Sequence, residues 1–291
     1  MNGMAAPFIG SQSFFFPLLK KNLIMKKIFG LTAIALLAFS ACKDKKEDDL
    51  SGFNDVEVEF ENRAGNKPLV FGVEYTNALG EKLTFSTFNY FVSNFALIRE
   101  DGTEFVVPKD SCYFLCKHED LKSRRVVLKN VPAGNYKAIR FIIGVDSLKS
   151  VSPASERVGV LDPATGASGM YWNWNAGYIF VKVEGTSPQA PLDPGANANI
   201  FQYHIGLFGG YSSPTLNNIK TVTLELHHGE VAKVRRSGGP HFHIYVDILE
   251  LFTKPMNISV ATNPKVHAGP FSKNVADNYA DMFILDHVHN P

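Results

Sequence analysis

Residues 56–61 read Val-Glu-Val-Glu-Phe-Glu, a strict alternation of apolar and acidic positions. Side chains of a strand alternate between faces, so this run predicts a half-buried strand with glutamates on its outer face. Further apolar or β-branched runs follow at 89–97, 104–107, 126–128, 136–145, 178–183, 201–205, 219–226 and 241–251. Turn chemistry separates several of them: Asp101-Gly102 predicts a hairpin, and Pro132-Ala133-Gly134-Asn135 a tight reversal. No segment carries a long, capped helical period, and only 118–122 and 271–279 suggest short helices. The pattern predicts an all-β chain, an antiparallel β-sandwich with long loops and at most short helices. Two stretches, 147–174 and 185–198, are long and rich in proline and glycine, and long loops on a rigid scaffold often carry function. Neither an internal repeat nor a dividing linker interrupts residues 53–291, which predicts a single domain.

The N-terminal pattern differs. Residues 28–39 are almost wholly apolar, preceded by Met25-Lys26-Lys27 and followed by Ser40-Ala41-Cys42. A dozen apolar residues fall short of the roughly 20 that span a bilayer, while a basic start, short apolar core and small residues are the parts of a secretory signal. The ending resembles a bacterial lipobox, which predicts cleavage before Cys42 and lipidation of its thiol. Met25 opens a complete signal, so residues 1–24 read as an upstream extension. Residues 42–52 are dominated by charge and predict a solvated tether. The expected location is the outer membrane, facing the periplasm or the cell surface, with the lipid on Cys42 as the contact with the membrane.

This organisation changes the charge balance. The whole chain has 29 Lys+Arg against 28 Asp+Glu. Residues 1–41 hold four lysines and no acid, so the remainder has 25 basic residues against 28 acidic ones. No basic excess remains to support nucleic-acid binding. With Cys42 assigned to lipidation, Cys112 and Cys116 are an even pair in an oxidising compartment. Their C-x-x-x-C spacing predicts a small disulfide loop, the alternative being two thiols held apart on neighbouring strands.

Eight of the nine histidines fall at or after residue 204. His241-Phe242-His243 puts two imidazoles on one face of a strand, and His287-Val288-His289 repeats the spacing. With His204, these histidines are the candidate metal ligands: His204, His241, His243 and His289, with His287 beside them. Imidazole suits copper and zinc. Asp247 and Asp286 are near enough in sequence to orient imidazoles. His118, His227, His228 and His267 read as hydrogen-bonded structural residues. Both tryptophans of the chain, Trp172 and Trp174, alternate in one extended segment, a pattern of packing or of a carbohydrate platform. There is no G-x-S-x-G elbow, H-E-x-x-H helix, P-loop or dinucleotide fingerprint, so the chain does not read as an enzyme.

The order of several segments resembles the MbnP-like copper-binding proteins. They are Tyr90-Phe91-Val92-Ser93-Asn94-Phe95, Val131-Pro132-Ala133-Gly134-Asn135-Tyr136, Ile143-Gly144-Val145-Asp146, the loop from Leu161-Asp162-Pro163 to Met170-Tyr171-Trp172, Gly177-Tyr178 with Val183-Glu184-Gly185, and Phe201-Gln202-Tyr203-His204-Ile205-Gly206. The resemblance implies a β-rich extracytoplasmic domain that binds copper for acquisition, storage or delivery. It implies histidine ligands, with His204 in the best-matching motif. It also implies a kynurenine formed from Trp172 or Trp174 by a di-haem peroxidase-like partner. Some kynurenine-bearing members have Trp-x-His, where this chain has Trp172-x-Trp174. The competing reading from the residues is a surface ligand-binding or adhesion module without metal, using the long loops and the tryptophans.

Overall fold

A computed structural model of the protein describes residues 50–227 and 229–291. The predicted signal, its extension and Cys42 lie outside them. The described residues form one compact unit.

Nine strands carry most of the architecture: β1 (Phe53–Ala64), β2 (Lys82–Arg99), β3 (Arg125–Pro132), β4 (Gly134–Ile143), β5 (Gly177–Thr186), β6 (Ile200–Gly206), β7 (Lys220–Glu225), β8 (His241–Asp247) and β9 (Phe283–His289). They form an all-β sandwich. The smaller sheet runs β9-β8-β1, with β3 and the short Lys67–Pro68 strand also on β1. The larger sheet runs β7-β4-β2-β5-β6 and ends on Lys265–Val266. Most pairings are antiparallel. Two among the described residues are parallel, β1 with β8 and β6 with Lys265–Val266, so the sandwich is not purely antiparallel as expected.

The predicted alternation in β1 is realised: Val56, Val58 and Phe60 are buried, while the glutamates between them are half-buried on the other face. Phe60 of the smaller sheet meets Tyr90 of β2 and Phe141 of β4 edge-on, with centroids 6.2 and 5.8 Å away. Phe283 of β9 completes the group, 6.0 Å from Phe60 and 5.2 Å from Phe141. These rings join the two sheets. A buried polar contact crosses the same layer, where Tyr90 Oη donates to Asn62 Oδ1 at 2.9 Å. His118 lies beside it, its Nδ1 3.3 Å from Asn62 Nδ2. Burial lowers its pKa to about 4, with Arg124 adding to the effect, so it stays neutral near pH 7.

Two local expectations are corrected. The run 241–251 is not one strand. Asp247 turns its carboxylate back to accept from Leu249 N at 3.0 Å and Gly65 N at 2.9 Å, which ends β8 and starts the 3-10 helix Ile248–Phe252. Beyond that turn, residues 283–289 pair with β8 and dock the C-terminal segment. Cys112 and Cys116 do not form a disulfide; both are free, buried thiols. Cys116 lies opposite Tyr90 in the strand Tyr113–Lys117, and Cys112 precedes that strand. Four nearly extended residues separate Cα atoms by roughly 12–13 Å, beyond the limit of about 7 Å for a bridge. The helix Ser272–Tyr279 matches the expected one closely.

Phe60→Ala removes the ring that touches both sheets and is expected to cost about 3–5 kcal/mol in chemical denaturation. Phe53→Ala, at a side chain 63% exposed at the start of the same strand, should change stability by no more than about 0.5 kcal/mol. Equal effects of the two substitutions would contradict this account of the core.

Candidate metal centre

The outer face of the smaller sheet is built by register. In the parallel pair, Glu57 stands beside His241, Glu59 beside His243 and Glu61 beside Tyr245. Across the antiparallel pair, His241 faces His289 and His243 faces His287. Alternation buries Phe242, Ile244 and Val246 beneath and sends the imidazoles outward. Four histidines therefore form a block on two adjacent strands, bordered by a column of glutamates.

A β-bulge adds the acid at the centre. His243 is opposite His287 but Ile244 is opposite Leu285, so Asp286 is an extra residue in β9. Strict alternation would send Asp286 away from its neighbour His287. The bulge resets the alternation and brings its carboxylate to the histidine face. Asp286 Oδ2 lies 3.0 Å from His243 Nδ1 and 2.7 Å from His287 Nδ1. Burial disfavours the charged carboxylate, yet hydrogen bonds from Tyr245, His243 and His287 outweigh it and hold the pKa at about 2.

An ionised carboxylate between two Nδ1 atoms favours the Nδ1–H tautomers and leaves Nε2 lone pairs for a cation, the usual role of an acid behind a ligating histidine. His287 Nε2 stands 2.9 Å from His289 Nε2. Two nitrogens each about 2.0 Å from a square-planar ion would be about 2.8 Å apart, so this spacing suits adjacent ligands. His243, Asp286 and His287 also offer ligand atoms that lie within 4.8 Å of one another. His243 Nε2 is 3.2 Å from Glu61 Oε2. His241 Nε2 is buried and has no hydrogen-bond partner, although Glu59 Oε2 is 3.4 Å away. Burial lowers the His241 pKa, partly opposed by Glu57 and Glu59, which favours the neutral, ligating form. The face carries Glu57, Glu59, Glu61 and Asp286 against Arg63 and Arg125, an excess of negative charge that attracts cations.

The MbnP family profile matches residues 53–268 of the chain. The chain belongs to the MbnP family. Among solved structures, MbnP from Methylosinus trichosporium shares the fold, with a TM-score of 0.53 and 20% identity over 75% of this chain and 81% of that one. No curated protein matches the chain.

In this MbnP-family chain the four predicted ligands do not form one group. His241, His243 and His289 come together with His287, which sequence spacing paired with them. His204 belongs to β6 in the larger sheet. Its Nε2 lies 2.7 Å from Glu184 Oε1, and its ring stacks on His267 with centroids 4.7 Å apart and planes 15° from parallel. Glu184 Oε2 is in turn held by Thr87 Oγ1 at 2.8 Å. Burial lowers the His204 pKa, and the bond to Glu184 only partly offsets it. Asp247 orients no histidine, since its carboxylate is spent on the turn described above. Trp172 and Trp174 pack at the larger sheet, where Trp172 pairs with β5. Their rings are 5.4 Å apart and tilted by 32°. The acids Glu59 and Glu61 and the phenol of Tyr245 were not singled out from the sequence. The alternating glutamates were the available signal, but their partner strand was not visible.

The Asp286 carboxyl is expected to titrate at about pH 2 in a ¹³C NMR titration, and to move toward the ordinary 3.8 in Tyr245→Phe. A midpoint near 3.8 in the unaltered protein would remove the argument for a carboxylate fixed between two imidazoles.

Proposed function

We propose that the protein is an extracytoplasmic copper-binding lipoprotein that acquires, stores or delivers the metal rather than catalysing a reaction. The observation that carries this reading is the convergence of His243, Asp286, His287 and His289 on one exposed strand face. The donor set fits copper, since imidazole nitrogen is a good ligand for it and copper(II) exceeds the other first-row divalent ions in affinity. His243, His287 and His289 would hold the ion, Asp286 would fix the tautomers, and His241 would border the site. The bound ion supplies the cargo and no bond-making step. The chain's residues bind it, orient the donors and leave one side open to solvent for exchange.

Family membership supports copper in particular, because the MbnP-like proteins are copper binders. The reading places the chain at the outer membrane through a lipid on Cys42, facing the periplasm or the surface. A di-haem peroxidase-like partner belongs to the same family reading. Trp174, 52% exposed, is the indole more open to such an oxidant, and it lies in the turn between Tyr171–Trp172 and β5, on neither strand of the histidine block.

Copper titration of the purified full chain is expected to give about one ion per chain. His243→Ala and His287→Ala should each weaken binding at least about tenfold, in line with loss of a ligand or of its supporting shell. His204→Ala should leave binding unchanged. Loss of copper in His204→Ala with retention in His287→Ala would move the site to the His204–Glu184–His267 group and overturn this assignment. No uptake of Cu(I) or Cu(II) at micromolar concentrations would end the copper reading.

A further inference from the structure

The tryptophans singled out in the sequence are not absorbed by the histidine site. Trp174 borders a cavity of about 380 Å³ in the loop region above β5, with the Trp172 ring 5.4 Å behind it. Trp174 and Tyr211 are both strongly exposed at its walls, 52% and 62% respectively. An indole and a phenol held open to solvent are an unusual use of large apolar surface. The other walls bring polar groups from Arg157, Asn173 and Ser212 together with the rings of Tyr171 and Phe208.

The aromatic walls are positioned before any ligand arrives. Asn175 Oδ1 accepts from the backbone N–H groups of Tyr211, Ser212 and Ser213 at 2.8, 2.6 and 3.2 Å, and its Nδ2 donates to Ser213 O at 2.8 Å. One side chain thus ties the loop that presents Tyr211 to the segment that presents Trp174. Gly210 makes that loop possible: its φ is +97°, and a Cβ there would stand 1.9 Å from Ser213 O. Preorganised walls reduce the ordering that a ligand must supply.

Arg157 sets the charge of the site. Its Nη1 donates to Tyr171 Oη at 2.8 Å, and its guanidinium lies 5.5 Å from the centroid of that ring. Its Nε is buried and without a hydrogen-bond acceptor. Among the described residues no carboxylate pairs with it, unlike Arg63, Arg125 and Arg140. An uncompensated guanidinium beside two aromatic faces and neutral amide and hydroxyl groups favours a ligand with a carboxylate, an apolar C–H face and several hydroxyls. A uronic acid has all three.

We propose that this pocket binds uronic-acid residues of acidic polysaccharides, with Trp174 and Tyr211 stacking on the pyranose and Arg157 pairing with its carboxylate. The proposal is independent of copper, since it uses the larger sheet and none of the histidines.

The chain offers a direct readout. Trp172 and Trp174 are its only tryptophans, so all indole fluorescence originates in the pocket wall at Trp174 or at Trp172, whose ring is 5.4 Å from it. The full chain, purified in detergent and kept in a chelator to exclude metal bridging, is titrated with trigalacturonate, trimannuronate and a glucuronate disaccharide. Each is compared with its methyl ester. The expected result is saturable quenching by at least one acid, with its ester binding at least about tenfold more weakly. Trp174→Ala, followed by calorimetry, should weaken binding of the acid by about tenfold or more. Arg157→Gln should bring acid and ester to the same affinity. If Arg157→Gln fails to fold, the exposed Trp174 and the ester comparison still decide the matter. Absence of binding by all three acids, equal binding of acid and ester, or indifference to Trp174→Ala would each overturn the proposal.

Discussion

The parallel pairing of β1 with β8 is the constraint on which the smaller sheet depends. It joins the first strand of the domain to one near its end, and its register runs without interruption from Glu57–His241 to Arg63–Asp247. A slip of one residue would exchange the faces of the strand. Phe60 would leave the aromatic cluster between the sheets, and the glutamates would turn toward the core. The same register that buries Val58 and Phe60 places Glu59 and Glu61 beside the imidazoles. Core packing and the candidate site are therefore two faces of one alignment, and the energy that fixes the site comes largely from apolar burial on its opposite side.

The pairing of β8 with β9 adds a second condition. Without β9 the block has only His241 and His243. With it, each gains a cross-strand histidine, and the bulge adds Asp286. A bulge is costly to a regular ladder because one residue loses its pairing. Here the irregular residue is the one whose carboxylate holds two imidazoles. The outward position matters as well. Several carboxylates and imidazoles in the core would lose far more solvation than their mutual attraction returns, whereas on a half-exposed face they remain hydrated and accessible to a cation.

Much of this was legible in the sequence, for a definite reason. Strand positions follow from period-two alternation, and β1, β2, β5 and β6 were found because each is half or wholly buried. The histidine doublets were visible for the same cause, as alternate positions share a face. The limits are equally physical. Alternation says which residues share a face but not which strands are neighbours, so it could not show that His204 belongs to the other sheet or that Glu59 and Glu61 border the histidines. A bulge is one unpaired residue, set by the fit of two strands, and left no mark in the composition around Asp286. The cysteine spacing was misleading because C-x-x-x-C fits a bridge only in a bent segment, and these residues lie along a nearly extended one. Asp247 was read as a partner for histidine when its carboxylate was needed to turn the chain.

The division of labour between the sheets follows from their edges and loops. On the smaller sheet the candidate ligands are side chains of the strands themselves, where register gives fixed spacings suited to coordinating an ion. The larger sheet carries the long segment 147–174 and the 207–218 loop, whose aromatic residues can enclose a volume instead of a point. The two surfaces share no residue, and the side chains that brace each bond locally: Asp286 to Tyr245, His243 and His287, Asn175 to the Tyr211–Ser213 backbone. Sites without common partners are expected to respond independently to substitution. A single sandwich would thus accommodate both the proposed cation face and the proposed ligand pocket without either weakening the core that supports them.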